Sequence, residues 1–180
     1  MSATRQRLWG LKPDSAMVKK VFLSAILVSG LCAAAAGEGF LPSEGEPPSF
    51  REWIDSVSAV LGTSLDEAFR SFGVPRKVYS ARGDASWQDD VVFEYAEGFS
   101  LFWYKDRVWQ LRFGPEFRLK FRDAGPGSSR EEIEALMGKP FHAEDDWMLY
   151  HFAGQGFPLR LRLFFGEKGL EDIYIYRGDF

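Results

Sequence analysis

The run His142-Ala143-Glu144-Asp145-Asp146 places one imidazole and three carboxylates within five residues. Such a set could hold a divalent cation or pair a general acid with a base. It reads equally as an acidic, solvated turn ahead of a strand, and that reading is preferred. The second histidine, His151, lies nine positions on, which is not the i, i+4 spacing of a helical ligand pair. His151 falls between Tyr150 and Phe152 in an apolar run and reads as one position on a sheet face. Asp89-Asp90 reads as a turn. The stretch Gly125-Pro126-Gly127-Ser128 lacks the lysine and the strand–loop–helix setting of a phosphate loop. No Gly-x-Ser-x-Gly is present, and the single cysteine is Cys32. A nucleophile–base–orienter set is therefore not assembled. The expectation is a protein that is not an enzyme and that uses no cofactor and no metal.

Cys32 lies in a targeting segment. Lys19 and Lys20 precede the apolar stretch from Val21 to Leu31, and Ala33 to Ala36 supply the small residues of a cleavage site. The apolar stretch is short for a bilayer span. Residues 1–36 are read as an N-terminal extension plus signal peptide, with Met17 as an alternative start. The tetrapeptide Ser29-Gly30-Leu31-Cys32 adds a second option, lipid modification at Cys32. Without Cys32 the exported chain has no thiol, so disulfides and thiolate metal sites are not expected.

Cleavage also changes the charge. The whole chain carries a net charge of −4. Residues 1–36 contain five basic residues and one acid, so 17 basic and 25 acidic residues remain, a net charge of −8. An acidic domain is a poor match for nucleic acid, whose binding rests on basic charge meeting phosphate.

The elements follow from periodicity. Residues 37–48 are rich in Gly, Pro and Glu and read as a flexible tether. From Ser49 to Leu61, Phe50, Trp53, Ile54, Val57, Val60 and Leu61 form one apolar helix face, ended by Gly62. Thr63 or Ser64 caps a second helix, with Glu67 completing a capping box, and Gly73-Val74-Pro75 stops it. Val91–Tyr95, Phe99–Tyr104 and Arg107–Phe113 read as an antiparallel meander, and Phe117–Phe121 as a fourth strand. After Arg122–Ser128 a second capped helix begins at Ser129, with Glu132 in its box and Gly138-Lys139-Pro140 as its stop. The strands Trp147–Phe152, Pro158–Phe165 and Leu170–Tyr176 follow.

Ser64–Pro75 and Ser129–Pro140 begin 65 positions apart and share cap, box and Gly-x-Pro stop. Each precedes a meander. The expected architecture is therefore α+β, with two tandem repeats at 49–122 and 129–180 joined by a linker at 123–128. Each repeat is a short helix or helix pair followed by an antiparallel meander, and the two sheets could join into one curved sheet with helices on one face.

Ser64–Pro75 with Phe93, Tyr95, Trp103, Val108 and Leu111, and Ser129–Pro140 with Trp147, Tyr150, Leu161, Leu163, Leu170 and Ile173, resemble the repeat of the β-lactamase-inhibitor-protein family. The pattern is also similar to the single-copy outer-membrane assembly lipoproteins of the BamE type. The resemblance implies a concave sheet face that grips a protein. The inhibitor family's disulfides have no counterpart here, and its enzyme-contacting loop residues find no match, so β-lactamase inhibition itself is not expected.

Alternation fixes two faces. If Leu111, Phe113, Phe117, Leu119, Phe121, Leu159, Leu161, Leu163, Ile173 and Ile175 face the helices, then the other face carries Gln110, Arg112, Arg118, Lys120, Arg160, Arg162, Asp172, Tyr174 and Tyr176. Arg and Tyr together match the composition of interface hot spots; an ordinary wet sheet face would also contain them. The expectation is an exported bacterial protein of the periplasm or outer membrane that binds a cell-envelope protein through Arg112, Arg118, Arg160, Arg162, Tyr174 and Tyr176. Its own membrane association would come only from a lipid anchor. The rival expectation is a small-molecule or cell-wall ligand in a pocket of Trp87, Trp103, Trp109 and Trp147.

Overall fold

Three serines start three helices in the same way. In the computed structural model, which describes residues 46–82, 89–153 and 156–179, α1 spans Phe50–Ser58, α2 Leu65–Phe72 and α3 Arg130–Met137. Ser49, Ser64 and Ser129 each accept a bond from the backbone N–H three residues on. Glu52, Glu67 and Glu132 each accept one back from the serine N–H, at 2.9, 2.7 and 2.8 Å. Two of the orphan N–H groups at each helix start are thereby satisfied. Gly73 and Gly138 end α2 and α3 at positive φ, where a side chain would be strained. The expected cleavage segment, Cys32, most of the tether and Trp87 lie outside the described residues.

Helices of eight or nine residues do not persist alone. Each is held by its apolar face on one antiparallel sheet of eight strands: β1 Lys77–Ala81, β2 Asp90–Glu94, β3 Phe99–Tyr104, β4 Arg107–Phe113, β5 His142–Ala143, β6 Trp147–Ala153, β7 Pro158–Gly166 and β8 Gly169–Arg177. The strand order is β1-β2-β3-β4-β8-β7-β6-β5. Side chains alternate along each strand, and one set packs beneath the helices. Phe93, Leu101, Leu111, Ile175, Leu161 and Tyr150 form one such row across the sheet, and all are buried. Ile133 of α3 and Phe50, Trp53, Ile54 and Val57 of α1 join the same core.

This corrects the expected pair of tandem repeats. The described residues form one compact unit, with one sheet and one core. β4 pairs with β8 through Gln110–Tyr176, Leu111–Ile175, Arg112–Tyr174 and Phe113–Ile173, so hydrogen bonds and apolar packing run through the position where a unit boundary was expected. The halves also differ in content, with two helices before the first strands and one before the last. The expected strand Phe117–Phe121 is irregular backbone. The reason is that β4 already has β3 on one side and β8 on the other, so it offers this segment no edge. Phe117 and Phe121 instead pack on Trp53, at ring separations of 5.6 and 5.2 Å. Strands β1 and β5 were not anticipated, and α1 stops at Ser58 instead of Leu61.

Gly169 joins the end of the linker to the sheet. The N–H of Gly127 donates to the Leu170 carbonyl and that of Leu170 to the Ser128 carbonyl, both at 2.8 Å. Gly169 has φ +93°, and a Cβ there would lie 2.4 Å from the Gly127 oxygen and 2.6 Å from that of Ser128. Both obstacles are backbone atoms of the staple itself. Gly169→Ala is expected to cost about 2 kcal/mol or more, the left-handed penalty of about 1–2 kcal/mol plus the clash. A denaturant midpoint within error of the parent would contradict this.

Candidate functional site: the open sheet face

The face away from the helices is built in rows by the strand registers. One row runs Tyr79, Val92, Phe102, Gln110, Tyr176, Arg160, His151. The next runs Lys77, Glu94, Ser100, Arg112, Tyr174, Arg162, Leu149, His142. A short third row holds Asp172, Phe164 and Trp147. The sheet thus brings together five of the six residues expected to bind a partner: Arg112, Arg160, Arg162, Tyr174 and Tyr176. Arg118 is placed elsewhere. It belongs to the irregular segment after β4, and its guanidinium donates to the carbonyls of Pro115 and Phe117. Lys120 lies on that same segment.

Cations and rings interleave on this face. The Arg162 guanidinium lies 4.8 Å from the Trp147 ring centre and 5.9 Å from that of Tyr176. Tyr176 meets Trp109 edge-on at 6.3 Å. Beside this line Arg112 lies 5.7 Å from the Tyr174 ring, which meets Phe164 edge-on at 5.5 Å. Cation–π contacts contribute about 0.5–1 kcal/mol at exposed sites and more when dry. Arg112 also makes a two-pronged bond to Asp172, at 2.8 and 2.7 Å. That pairing holds the guanidinium pKa well above its ordinary range. Burial, reinforced by the charge of Asp172, pushes the Tyr174 phenol up, while Arg112 and Arg162 oppose the rise. Tyr174 is therefore a neutral hydrogen-bonding group with a large apolar face.

Trp109 joins the face through a β-bulge. Phe102 pairs with Gln110 and Trp103 with Val108, so Trp109 is the extra residue. Two consecutive side chains, Trp109 and Gln110, then share one face. The indole N–H donates to Asp90 at 3.0 Å. Burial raises the Asp90 pKa, the Asp89 charge adds to that, and the indole bond opposes it. A strict period of two hides such a position. Phe164 could have been found, because in the pair Phe164-Phe165 alternation must send one ring outward.

Of the four tryptophans of the expected pocket, Trp87 lies outside the described residues and the other three do not converge. Trp103 is buried under the helices, 5.1 Å from Phe93. Trp109 and Trp147 lie on the open face with Tyr176 and Arg162 between them. A groove of about 330 Å³ lies at the end of the sheet, lined by Arg76, Glu94, Ser100, Arg112 and Glu116 among others. Its charges are engaged: Arg76 binds Glu94 and lies 3.7 Å from Glu116, and Arg112 binds Asp172.

His142 and Glu144 lie 3.1 Å apart, with Trp147 5.0 Å from the imidazole. The contact to Asp145 comes from the other side, where Arg130 donates to its backbone carbonyl at 3.1 Å. Among the described residues no group of three or more His, Cys, Asp or Glu side chains is placed to share a metal ion. His151 stacks on Phe141 at 4.0 Å.

No protein-family model and no curated protein matches the sequence. Two solved structures are similar in part. One is an extracellular protein containing a SCP domain from Bacillus anthracis, at 10% identity and a TM-score of 0.46, covering 77% of this chain and 48% of that one. The other is a cysteine-rich secretory protein from Staphylococcus aureus, also at 10% identity and 0.46, covering 81% and 50%. The chain spans about half the length of either, and a likeness at this level decides neither ancestry nor activity.

Proposed function

We propose that this is an exported, non-enzymatic protein-binding module that grips a cell-envelope partner with its open sheet face. The observation that carries the reading is the interleaved line Trp147, Arg162, Tyr176, Trp109. Tyr, Trp and Arg are the residues that dominate binding energy at protein interfaces, and here they are pre-positioned on strands, which lowers the entropy lost on docking. The signal-like segment at 17–36 supports export to the periplasm or outer membrane, and Cys32 supplies an optional lipid anchor. The capped helix ahead of a meander, which resembles the single-copy BamE-type pattern and needs no tandem repeat, supports an envelope-assembly role.

Capture from an envelope fraction tests the reading. Tyr176→Ala and Arg162→Ala are each expected to weaken capture about tenfold or more, the loss of one hot-spot residue. Their thermal midpoints should stay near the parent's, since both side chains lie on the face away from the helices and neither is fully buried. Unchanged capture by the double variant would refute the proposal. N-terminal sequencing of the exported chain, and palmitate labelling with Cys32→Ser as control, test the targeting.

A further inference from the structure

The arginines of the open face are not equivalent. Arg112 is neutralised by Asp172 at 2.7 Å. Arg76, at the far edge, binds Glu94 and Glu116. Among the described residues Arg160 and Arg162 have no carboxylate within 4 Å, and both lie on β7. Their cross-strand neighbours are Tyr176 and His151 for Arg160, and Tyr174 and Leu149 for Arg162. None of these carries negative charge. The Arg162 Nε is buried and has no hydrogen-bond acceptor, although a donor hidden from water ordinarily has one. Trp147 and Tyr176 lie 4.8 and 5.9 Å from that guanidinium, so aromatic rings and not carboxylates are its neighbours, and a planar fork of this kind suits a carboxylate.

We infer that Arg160 and Arg162 form a docking pair for an acidic, extended polypeptide segment of the partner, one that presents two carboxylates two residues apart. The inference rests on the protein-binding reading of this face. Its argument is charge complementarity: the chain as a whole is acidic, yet this half of the face is left with two uncompensated cations. The spacing follows from geometry. Residues i and i+2 of a strand lie on one side, roughly 6.5–7 Å apart. A partner strand with Asp or Glu at i and i+2 repeats that distance, so both guanidinium groups can be met at once. Paired, charge-assisted bonds of this kind are short and directional.

Selection of random dodecapeptides displayed on phage against the full chain tests the inference. The expected result is a pool enriched several-fold in Asp or Glu pairs at i, i+2. Synthetic copies should lose about tenfold or more in affinity on Arg160→Gln plus Arg162→Gln, and should weaken as salt is raised. A pool without acidic excess, an empty pool, or an acidic excess that survives the double Gln variant overturns the inference. So does displacement of the selected peptides by inorganic phosphate at the concentration where free peptide competes, which would mark a simple anion site. A charge-neutral pool whose binding is lost in Tyr176→Ala would remove the acidic partner and leave the face as a binding surface. A pool indifferent to both variants would remove the face as well.

Discussion

Trp53→Ala is expected to leave a large part of the protein unfolded at ambient temperature. Trp53 is 2% exposed and stands at the meeting point of three parts of the chain. Its ring lies 5.7 Å from Phe50 of its own helix, 4.6 Å from Phe113 of β4, and 5.6 and 5.2 Å from Phe117 and Phe121 of the irregular segment. Truncating a buried tryptophan costs about 3–5 kcal/mol, the lost transfer energy plus the cavity left behind. A domain's whole stability is about 5–15 kcal/mol. The segment 114–129 belongs to no strand; backbone bonds pin its two ends, Gly114 N–H to the Gly98 carbonyl at 3.0 Å and the pair between Gly127–Ser128 and Leu170 at 2.8 Å. Between them it is held by its aromatic contacts to α1, by Arg122 N–H to the Pro48 carbonyl at 3.1 Å and by Phe50 N–H to Asp123 at 2.8 Å. The substitution should therefore expose 114–129 to proteolysis first. Urea unfolding and limited digestion measure both effects. A midpoint shift equivalent to under 1 kcal/mol would show that the ring is not the keystone described.

Alkaline pH is expected to remove several kcal/mol of stability through two tyrosines. Tyr95 is 2% and Tyr150 3% exposed. Burial, with the charge of Glu97 adding to it, pushes the Tyr95 phenol up to about 12. Burial, with Glu134 adding and Arg130 opposing, pushes Tyr150 up to about 12. In the unfolded chain a tyrosine ionises near 10. Below pH ~10 both states hold these protons, so these two groups add no pH dependence. Between ~10 and ~12 the unfolded chain releases them while the folded chain retains them, and stability falls as pH rises through the folded value. Each unit is about 1.4 kcal/mol, so each tyrosine accounts for about 2–3 kcal/mol by pH ~12. Tyr95→Phe isolates one of them. Its hydroxyl has no hydrogen-bond partner among the described residues, so the variant should match or exceed the parent at pH ~7 and lose only about half as much stability at pH ~12. Tyr150→Phe should behave differently at neutral pH, because it forfeits the bond to the Gly138 carbonyl at 3.2 Å. Identical alkaline slopes for Tyr95→Phe and the parent would sink the account.

Much of this was legible in the residues, for reasons that also explain the failures. Arg107–Phe113 was read to its last residue because its inward positions are Val, Leu and Phe and its ends are turns. Lys77–Ala81 was missed because it is an edge strand with little burial, so no apolar alternation marks it. In Phe117–Phe121 the alternation foretold which side chains would be buried, with Phe117 in and Arg118 out. Period two reports only sidedness, and whether a neighbouring strand is free to pair depends on β8, some fifty residues away. For the face, Arg160, Arg162, Tyr174 and Tyr176 lie on the side that alternation gives them, because β7 and β8 alternate without interruption across that region. Trp109 does not, because one inserted residue reverses parity. The shared Ser-x-x-Glu phrase marked helix starts reliably, but a repeated local cap does not make a repeated tertiary unit.

The position of β8 has a temporal consequence. It follows every other strand in the chain yet lies in the middle of the sheet, between β4 and β7. Until residues 169–177 have been synthesised, β4 and β7 each present a bare edge, and Leu111, Phe113, Leu161 and Leu163 lack the neighbours Ile173 and Ile175 that the registers give them. Nothing emerging earlier can take that place. A growing chain stays open until this strand has emerged and closes in one long-range step, a slow kind of folding. That is a state in which a polypeptide can still be threaded through a narrow channel.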